Sequence, residues 1–262
     1  MLTAVPSISV VIPVRNDAAM LTTALESLAA QTRAPDEILV VDNGSSDASA
    51  TIAERAGARV VAEPRRGIPY ASATGYDNAR GAIIARIDAD TVCPPGWLAR
   101  IERSFDRDPG PDMLTGGATF YGGSELAHRL GRAWYIGGMY FAVTPYLGHP
   151  PVFGSNFAMR REVWAELGGE VHRENGIHDD LDLSLHVKPW MQVDYDPDLM
   201  VKISARPFDT FAGLTRRLSW VLPTLRNHPW PDEAPWRRRA ARREWLEDHA
   251  GVLEDGAQTA EA

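Results

Sequence analysis

Two aspartates on either side of one small residue, Asp88-Ala89-Asp90, form the most chemically suggestive group in this sequence. In an extended segment, residues two apart point the same way, so both carboxylates can face one ligand. Carboxylate oxygens are the ligands that Mg²⁺ and Mn²⁺ prefer, and such an ion neutralises charge on a departing diphosphate. The pair therefore predicts a site for Mg²⁺ or Mn²⁺. Because Asp-x-Asp often arises by chance, a solvated acidic turn is the alternative.

A second acidic run, Asp179-Asp180-Leu181-Asp182, begins a predicted helix in the second half of the chain. A carboxylate can accept the proton of an attacking hydroxyl as a general base. Acidic residues are also favoured at the start of any helix, where the backbone dipole is positive. Taken alone, the run leaves a catalytic base and an ordinary helix start equally open. His172 and His178 lie close by, but a lone histidine seldom binds metal or phosphate, so neither is assigned to the site.

The elements that must position these residues are alternating strands and helices. The first hundred residues alternate β-branched apolar runs with helical patterns, which predicts four β-α units and a largely parallel sheet. Ligands bind beyond the carboxyl ends of such strands, so the polar residues that follow the first, second and fourth strands are expected to converge on one site. The predicted strands are Ile8–Ile12, Ile38–Val41, Arg59–Ala62 and Ala82–Ile87, and three of the helices are expected near Leu21–Leu28, from a cap at Asp47 to Ala56, and from Pro94 through Phe105.

The second half of the chain has a less regular pattern. The whole sequence predicts a single α/β domain with a mixed, mostly parallel central sheet flanked by helices, followed by a C-terminal helical extension. The Ala-, Gly- and acid-rich tail beyond Asp248 is expected to be disordered. The predicted elements of this half are strands at Met113–Phe120, Met191–Tyr195 and Leu199–Ile203 and helices at Glu125–Trp134, Arg161–Leu167, Asp179–Val187 and Phe211–Leu222.

Composition excludes several classes of function. A net charge of −8 and a pI near 5.4 argue against nucleic acid as a general partner. The single cysteine, Cys93, cannot form an intramolecular disulfide, which favours a reducing compartment. Met1–Pro6 lacks the pattern of a signal peptide, and prolines and glycines interrupt the uncharged segment Ala133–Met159, which argues against a membrane span. The protein is therefore expected to be cytoplasmic.

Three segments of the first half carry a family resemblance: ISVVIPVRND, EILVVDNGSSD and ARGAIIARIDADTVCPPGWL. In this order and spacing they resemble the nucleotide-binding half of family 2 glycosyltransferases, which are inverting, metal-dependent enzymes with the GT-A fold. The resemblance continues through FGSNFAMRR and Gly168-Gly169 to Asp179–Leu183, which matches the family's Glu-Asp-x-Asp-Leu motif. It implies a GT-A (Rossmann-like) domain over residues 1–208, with a nucleotide-sugar-binding half (1–110) and an acceptor-side half (111–208), and the helical extension at 209–262.

The resemblance also implies roles for single residues. Asp180 would be the general base that deprotonates the acceptor hydroxyl for in-line attack with inversion, and Asp88 and Asp90 would serve the ribose and the metal. The remaining implied positions are Pro13, Arg15, Asp42, Arg66 and Ala89 for donor binding and Gly154, Asn156 and Asp179 on the acceptor side.

The sequence departs from the family pattern at three places. Asp179 replaces the glutamate of the acidic motif, Ser72-Ala73 replaces a common Arg-Asn pair, and His186 replaces an arginine that often ends the acidic motif.

Arginine and tryptophan alternate through the C-terminal quarter. Such a mixture suits an anionic membrane surface and predicts that the protein contacts the inner face of the membrane peripherally. If so, the uncharged segment Tyr135–Pro151 is where a lipid-linked acceptor would bind. The alternative is a basic face that docks on the acidic domain. The residues concerned are Arg216, Arg217, Trp220, Arg226, Trp230, Trp236, Arg237, Arg238, Arg239, Arg242, Arg243 and Trp245.

Together, these features predict transfer of a single sugar from a UDP- or GDP-linked donor to a glycan or lipid-linked acceptor, because the Gln-x-x-Arg-Trp motif and membrane spans of the processive synthases are missing. A non-catalytic nucleotide-sugar-binding module is the main alternative. The segment after the first strand is not the Gly-rich loop of sugar-1-phosphate nucleotidyltransferases, and neither a dinucleotide-binding glycine motif nor a P-loop occurs. The base, the sugar and the acceptor stay open, protein and small-molecule acceptors included.

Overall fold

In the computed structural model the chain is described over residues 6–107, 110–123, 137–206, 211–228 and 234–248, with backbone only at 137–139 and 211–218. The strands are β1 (Ile8–Val14), β2 (Glu37–Asp42), β3 (Arg59–Ala62), β4 (Ile83–Arg86), β5 (Thr91–Val92), β6 (Met113–Tyr121), β7 (Phe157–Arg160) and β8 (Val193–Ser204). The helices are α1 (Ala18–Ala29), α2 (Ser49–Arg55), α3 (Ile68–Asn78), α4 (Trp97–Phe105), α5 (Gly137–Leu147), α6 (Arg161–Leu167), α7 (Asp179–His186), α8 (Phe211–Arg226) and α9 (Pro235–Asp248).

The described strands form one mixed sheet in the order β3-β2-β1-β4-β7-β6-β8-β5. The first four are mutually parallel, because a helix connects each to the next and returns the chain to the same edge. Strand β7 then pairs antiparallel with both β4 and β6, while β8 is parallel to β6 and antiparallel to β5. Four of the seven pairings are parallel, which confirms the predicted α/β class with a mixed, mostly parallel sheet.

Strand β1 lies at the centre of the domain and every one of its residues is buried. Its side chains alternate between two apolar layers, as the period of a strand requires. Val10 and Ile12 pack in the same cluster as Leu21 and Leu25 of α1, whereas Val11 belongs to the cluster on the opposite face. Because helices cover both faces, its sequence is apolar apart from Ser9. The polar residues that follow β1 are thus held by a rigid strand.

All four predicted N-terminal strands are confirmed, with boundaries that differ by a few residues. The two strands predicted at 191–195 and 199–203 are wrong as separate elements, because β8 runs through both. Its pairing with β6 shifts register between Gly116 and Gly117, and this bulge accommodates the polar residues between the two apolar runs. The sequence pattern did not predict the short strands β5 and β7, since two and four residues carry little periodic signal.

Two predicted helix starts are displaced by a few residues. Helix α4 begins at Trp97, so Pro94 lies before the helix and not in its first turn. The N-cap of α2 is Ala48, and Asp47 precedes it while still accepting hydrogen bonds from the backbone and hydroxyl of Ser49. The helix predicted at Glu125–Trp134 and the tail beyond Asp248 lie outside the described residues.

Helix α9 of the C-terminal extension docks on the domain through its arginines. Arg242 donates hydrogen bonds to the backbone carbonyls of Pro189 and Met191, and Arg239 donates one to the carbonyl of Pro145. For these arginines, contact with the domain is the interpretation that the structure supports. No helix among the described residues combines the length and apolarity needed to cross a bilayer.

Candidate active site

A cleft of about 270 Å³ opens where β1 and β4 end, at the edge where the predicted carboxylates follow their strands. Its walls come from both halves of the chain and from the C-terminal extension. The lining residues are Pro13, Arg15, Asp17, Ile68, Arg86, Asp88, Ala89, Asp90, Phe153, Gly154, Ser155, His178, Asp179, Asp180 and Trp220.

A buried guanidinium joins two of the cleft's carboxylates. Arg86 is the last residue of β4, and its side chain is only 3% exposed. One of its terminal nitrogens lies 2.9 Å from Asp88 Oδ1 and the other 3.2 Å from Asp179 Oδ2. Burial by itself lowers the pKa of Arg86, but the carboxylates around it outweigh burial and raise the pKa above its ordinary value. The cleft is therefore built around a permanent positive charge.

Asp179 is held by contacts from two further directions. Its Oδ2 accepts a hydrogen bond of 2.7 Å from the hydroxyl of Ser72 on α3. Burial raises the pKa of the Asp179 carboxyl, and the neighbouring Arg86 opposes that effect. Position 72 is where the family resemblance leads us to expect an arginine. Here Ser72 contacts Asp179 and Arg86 supplies the positive charge beside it.

The Asp180 carboxylate faces the cleft and is oriented by two backbone amides. The N–H of Gly154 donates to Asp180 Oδ2 at 3.0 Å, and the N–H of Leu181 donates to Oδ1 at 2.8 Å. A Cβ at position 154 would overlap the guanidinium of Arg86 and lie 3.1 Å from Asp180 Oδ2. Gly154 is therefore required for the close approach of its backbone to both charged groups.

Asp88 and Asp90 both line the cleft, but their surroundings differ. Both oxygens of Asp88 are already engaged, Oδ1 by Arg86 and Oδ2 by the hydroxyl of Ser155 at 2.6 Å. The Asp90 carboxylate lies 3.9 Å from Arg206, which itself forms a two-pronged ion pair with Asp17. Arg206 follows β8 and brings a further cation beside Asp90.

The charge of the cleft suits a divalent cation. Among its lining residues, five carboxylates face two guanidinium groups. Carboxylate oxygens are hard donors of the kind that Mg²⁺ and Mn²⁺ bind. Asp90 and Asp17 are the cleft carboxylates that lie within 4 Å of Arg206, and an ion and a bound diphosphate would share them there. The donor set in this cleft therefore fits the predicted metal.

The structure brings together eight of the eleven predicted site residues and leaves three outside the cleft. Asn156 is fully buried: it accepts a hydrogen bond from the indole of Trp97 and donates to two backbone carbonyls, so its amide is used within the core. Asp42 accepts the backbone N–H of Ser45 at the end of β2, and Arg66 is exposed. Neither lines the cleft. The residues brought together are Pro13, Arg15, Asp88, Ala89, Asp90, Gly154, Asp179 and Asp180.

Several lining residues were not predicted from the sequence. Arg86 is the charged last residue of the otherwise apolar strand β4, and a charge in that buried position is a signal that could have identified it. Trp220 lies on α8 and its ring packs edge-on against that of His178, 5.7 Å between centroids. The backbone N–H of His178 also donates to Thr224 Oγ1 on α8. The C-terminal extension thus forms one wall of the cleft.

The sequence profile of the family described as "Glycosyl transferase family 2" matches residues 9–168. An uncharacterised glycosyltransferase of Mycobacterium tuberculosis is 40% identical over 110 residues, which cover 42% of this chain and 48% of that protein. The chain thus spans about half the length of the curated relatives it matches.

Two solved structures share the fold at low sequence identity. Glucosyl-3-phosphoglycerate synthase of M. tuberculosis, in complex with Mn²⁺, UDP-glucose and phosphoglyceric acid, superposes with a TM-score of 0.62 and 22% identity over 84% of this chain and 78% of that one. A mannosyltransferase of Pyrobaculum calidifontis, in complex with GDP-mannose and Mn²⁺, gives a TM-score of 0.60 and 20% identity over 99% and 82% of the two chains. These likenesses confirm the predicted GT-A fold.

Proposed function

Since this chain belongs to glycosyl transferase family 2, we propose that it transfers a single sugar from a nucleoside-diphosphate sugar to an acceptor hydroxyl, with inversion at the anomeric carbon. One observation carries the proposal: Asp180 and the Asp88–Asp90 pair, which come from opposite halves of the chain, line a single cleft. A proton acceptor and a cation site are the two groups that such a transfer needs close together.

Asp180 is the residue to which we assign the general base. Two backbone amides hold its carboxylate, so the orientation of the carboxylate does not depend on a mobile side chain. The acceptor hydroxyl would transfer its proton to this carboxylate while its oxygen bonds to the anomeric carbon. At the same time the bond from that carbon to the diphosphate oxygen breaks and the nucleoside diphosphate leaves. Attack from the side opposite the leaving group inverts the configuration.

We assign the divalent cation, Mg²⁺ or Mn²⁺, to Asp90 with Asp88 beside it. When bound, such an ion neutralises the charge that builds up on the departing diphosphate. The net negative charge of the lining residues supports this assignment, because a diphosphate would otherwise meet more carboxylates than cations. Arg15 is the lining cation that we assign to the nucleoside. Both solved neighbours were crystallised with Mn²⁺ and a nucleotide sugar, UDP-linked in one and GDP-linked in the other.

The first test is calorimetric titration of UDP- and GDP-sugars with Mn²⁺, with Mg²⁺ and with EDTA. We expect one nucleotide class to bind only when a metal is present, and Asp90→Ala to abolish that binding. Asp106→Ala, at an exposed aspartate outside the cleft, is the matched control and should bind like the wild type. Absence of binding for every donor and metal would contradict the proposal.

The second test separates an enzyme from a binding module of the same fold. Release of nucleoside diphosphate is measured with the bound donor and a panel of glycan, lipid-linked, protein and small-molecule acceptors. Asp180→Asn should lower the rate by roughly 10²–10⁴-fold while donor affinity stays unchanged. A wild-type protein that binds the donor but transfers no sugar to any of these acceptors would favour the binding module.

For the acceptor we propose a glycan or a lipid-linked sugar carrier, met at the inner face of the membrane. Large apolar side chains on three helices support this proposal: Phe141, Leu222 and Trp236 are 86%, 55% and 60% exposed. Such side chains insert readily at a lipid interface. In a flotation assay the protein should move with vesicles that contain anionic lipid, and Trp236→Ala should weaken its association with them. A protein that stays in the soluble fraction at low salt would contradict membrane contact.

A further inference from the structure

A second cluster of titratable side chains lies beside the cleft and contributes nothing to its lining. It consists of His172, Asp182, His186 and His228, which we call the histidine cluster. One ligand atom from each of the four residues can be chosen so that all four atoms lie within 4.8 Å of one another. None of the four lines the cleft described above.

The atoms that face one another are three imidazole nitrogens and one carboxylate. His172 Nδ1 lies 2.8 Å from Asp182 Oδ1, and His228 Nε2 lies 2.9 Å from the same oxygen. His186 Nε2 is 3.8 Å from Asp182 Oδ2. The three rings surround the carboxylate with centroids 4.8 to 5.5 Å apart. Side chains from a loop, from α7 and from the residues after α8 therefore converge on one point.

One member of the histidine cluster has an unsatisfied polar atom. His186 Nε2 is buried and forms no hydrogen bond among the described residues. Leaving a buried ring nitrogen without a partner costs free energy, which an occupant at the centre of the cluster would recover. On its other side, His186 Nδ1 lies 3.6 Å from Glu170 Oε2. A carboxylate behind an imidazole is the usual support for a histidine that ligates a metal.

We propose that the histidine cluster binds a structural Zn²⁺ ion. Three imidazole nitrogens with one carboxylate oxygen are a ligand set that zinc accepts, whereas Mg²⁺ and Ca²⁺ require mainly oxygen. Tetrahedral zinc with bonds of about 2.0–2.1 Å separates its ligand atoms by roughly 3.3 Å. The imidazole nitrogens lie 2.8, 2.9 and 3.8 Å from oxygens of Asp182, and the four ligand atoms lie within 4.8 Å of one another, so side-chain movements that bring the wider pairs closer would admit the ion.

The position of this site explains what the ion would do. His228 follows α8, whereas Asp182 and His186 lie on α7, so zinc would fasten the C-terminal extension to the helix that carries Asp180. Helix α8 supplies Trp220 to the cleft and Thr224 to the backbone of His178. With four protein ligands the ion has no open position, which is the pattern of a structural and not a catalytic site. Zinc would thus hold one wall of the cleft in place.

The test uses tag-free protein purified without added metal. Its metal content is measured after exchange against a chelating resin, first without incubation with Zn²⁺ and then after it. We expect about one zinc ion per chain in the wild type, and a visible absorption band typical of tetrahedral coordination when Co²⁺ replaces it. Zinc should also raise the unfolding temperature of the apo protein.

Matched variants make the assignment specific. His228→Gln and His186→Gln should lose zinc and the thermal shift, because each removes one of the three imidazole ligands. His178→Gln, at a histidine outside the cluster, should keep its zinc, and so should Asp90→Ala. The latter separates this site from the divalent cation assigned to the cleft. Wild-type protein that takes up no Zn²⁺, or zinc that persists in both His→Gln variants, would overturn the proposal.

Discussion

Helix α7 supplies carboxylates to two buried centres that differ in how their charge is balanced. At its N-terminus, Asp179 faces a guanidinium, that of Arg86. Three residues later, Asp182 faces the imidazoles of His172 and His228. A guanidinium is charged at every physiological pH, whereas an imidazole can be neutral, charged or metal-bound. One short helix thus combines an ion pair whose charges do not change with a centre whose charge depends on its occupant.

Removing the fixed cation is expected to have the largest effect. Arg86→Met would leave Asp88 and Asp179 without their buried counter-charge and should lower the free energy of unfolding by about 3–5 kcal/mol. Urea denaturation measures the change. Adding Asp179→Asn to this variant should recover part of the loss.

In the other centre, Asp182→Asn removes a hydrogen-bond acceptor and should lower the free energy of unfolding by about 1–3 kcal/mol in metal-free protein. A loss for Asp182→Asn as large as that for Arg86→Met would contradict the expected difference between the two centres.

The geometry of the cleft centre can be disturbed without removing any charge. Gly154→Ala introduces a Cβ that overlaps Arg86 and crowds Asp180. We expect the rate of sugar transfer to fall by roughly 10–100-fold while zinc binding at the histidine cluster is unchanged. Gly169→Ala is the control, because a Cβ there meets no atom within 4 Å. Unchanged transfer in Gly154→Ala would show that the spacing of Arg86 and Asp180 is not critical.

A third buried carboxylate, that of Glu63, lies outside both centres and makes the stability of the fold depend on pH. Hydrogen bonds from Arg65, together with one from Thr74, lower the pKa of Glu63 from 4.5 to about 2, against the opposing effect of burial. A lowered pKa stabilises the fold above the unfolded value, and this contribution is lost as the pH falls from about 4.5 towards 2. Glu63→Gln should therefore cost about 1–3 kcal/mol at pH 7.

Unfolding of the wild type and of Glu63→Gln as a function of pH tests this sign. The difference in stability between them should shrink steadily below pH 4.5. A difference that instead grew in acid would mean that the pKa of Glu63 in the folded protein lies above its unfolded value, which contradicts the expected effect of Arg65 and Thr74.

The smallest expected effect belongs to the hydroxyl beside Asp179. Ser72→Ala removes one hydrogen bond of 2.7 Å but leaves Arg86 in contact with the carboxylate. The loss in unfolding free energy should be about 1 kcal/mol, as measured by thermal or urea denaturation. A loss as large as that of Arg86→Met would mean that Ser72, and not the guanidinium, compensates Asp179.

The N-terminal half could be predicted from the sequence because its signals are local. Strand β1 is apolar apart from Ser9 and is followed by polar residues, so both its burial and its contribution to a site follow from one short segment. The same holds for the carboxylates after β4. Asp42 satisfies the same rule, yet it lies outside the cleft. Its strand is one position further from β4 in the sheet, and the order of strands cannot be read from periodicity alone.

The remaining parts of both centres depend on contacts between distant segments. Trp220 reaches the cleft only because α8 packs on α7, and nothing in the composition of either helix indicates that pairing. His172, His186 and His228 form one cluster although more than fifty residues separate the first from the last. Asn156 shows the opposite case: it is a polar residue within a motif, but its amide forms hydrogen bonds inside the core and does not reach the cleft.

The wall formed by α8 has a consequence for how such enzymes can be recombined. The family profile covers residues 9–168 and so ends before Asp180 and Trp220. The segment beyond the profile therefore contributes Asp180 and Trp220 to the cleft and also strand β8, which pairs with β6 in the sheet. A chimaera joined between β7 and α7 would exchange that sheet strand together with one wall of the cleft. An exchange confined to α8 would alter the Trp220 wall and leave every strand of the described sheet in place.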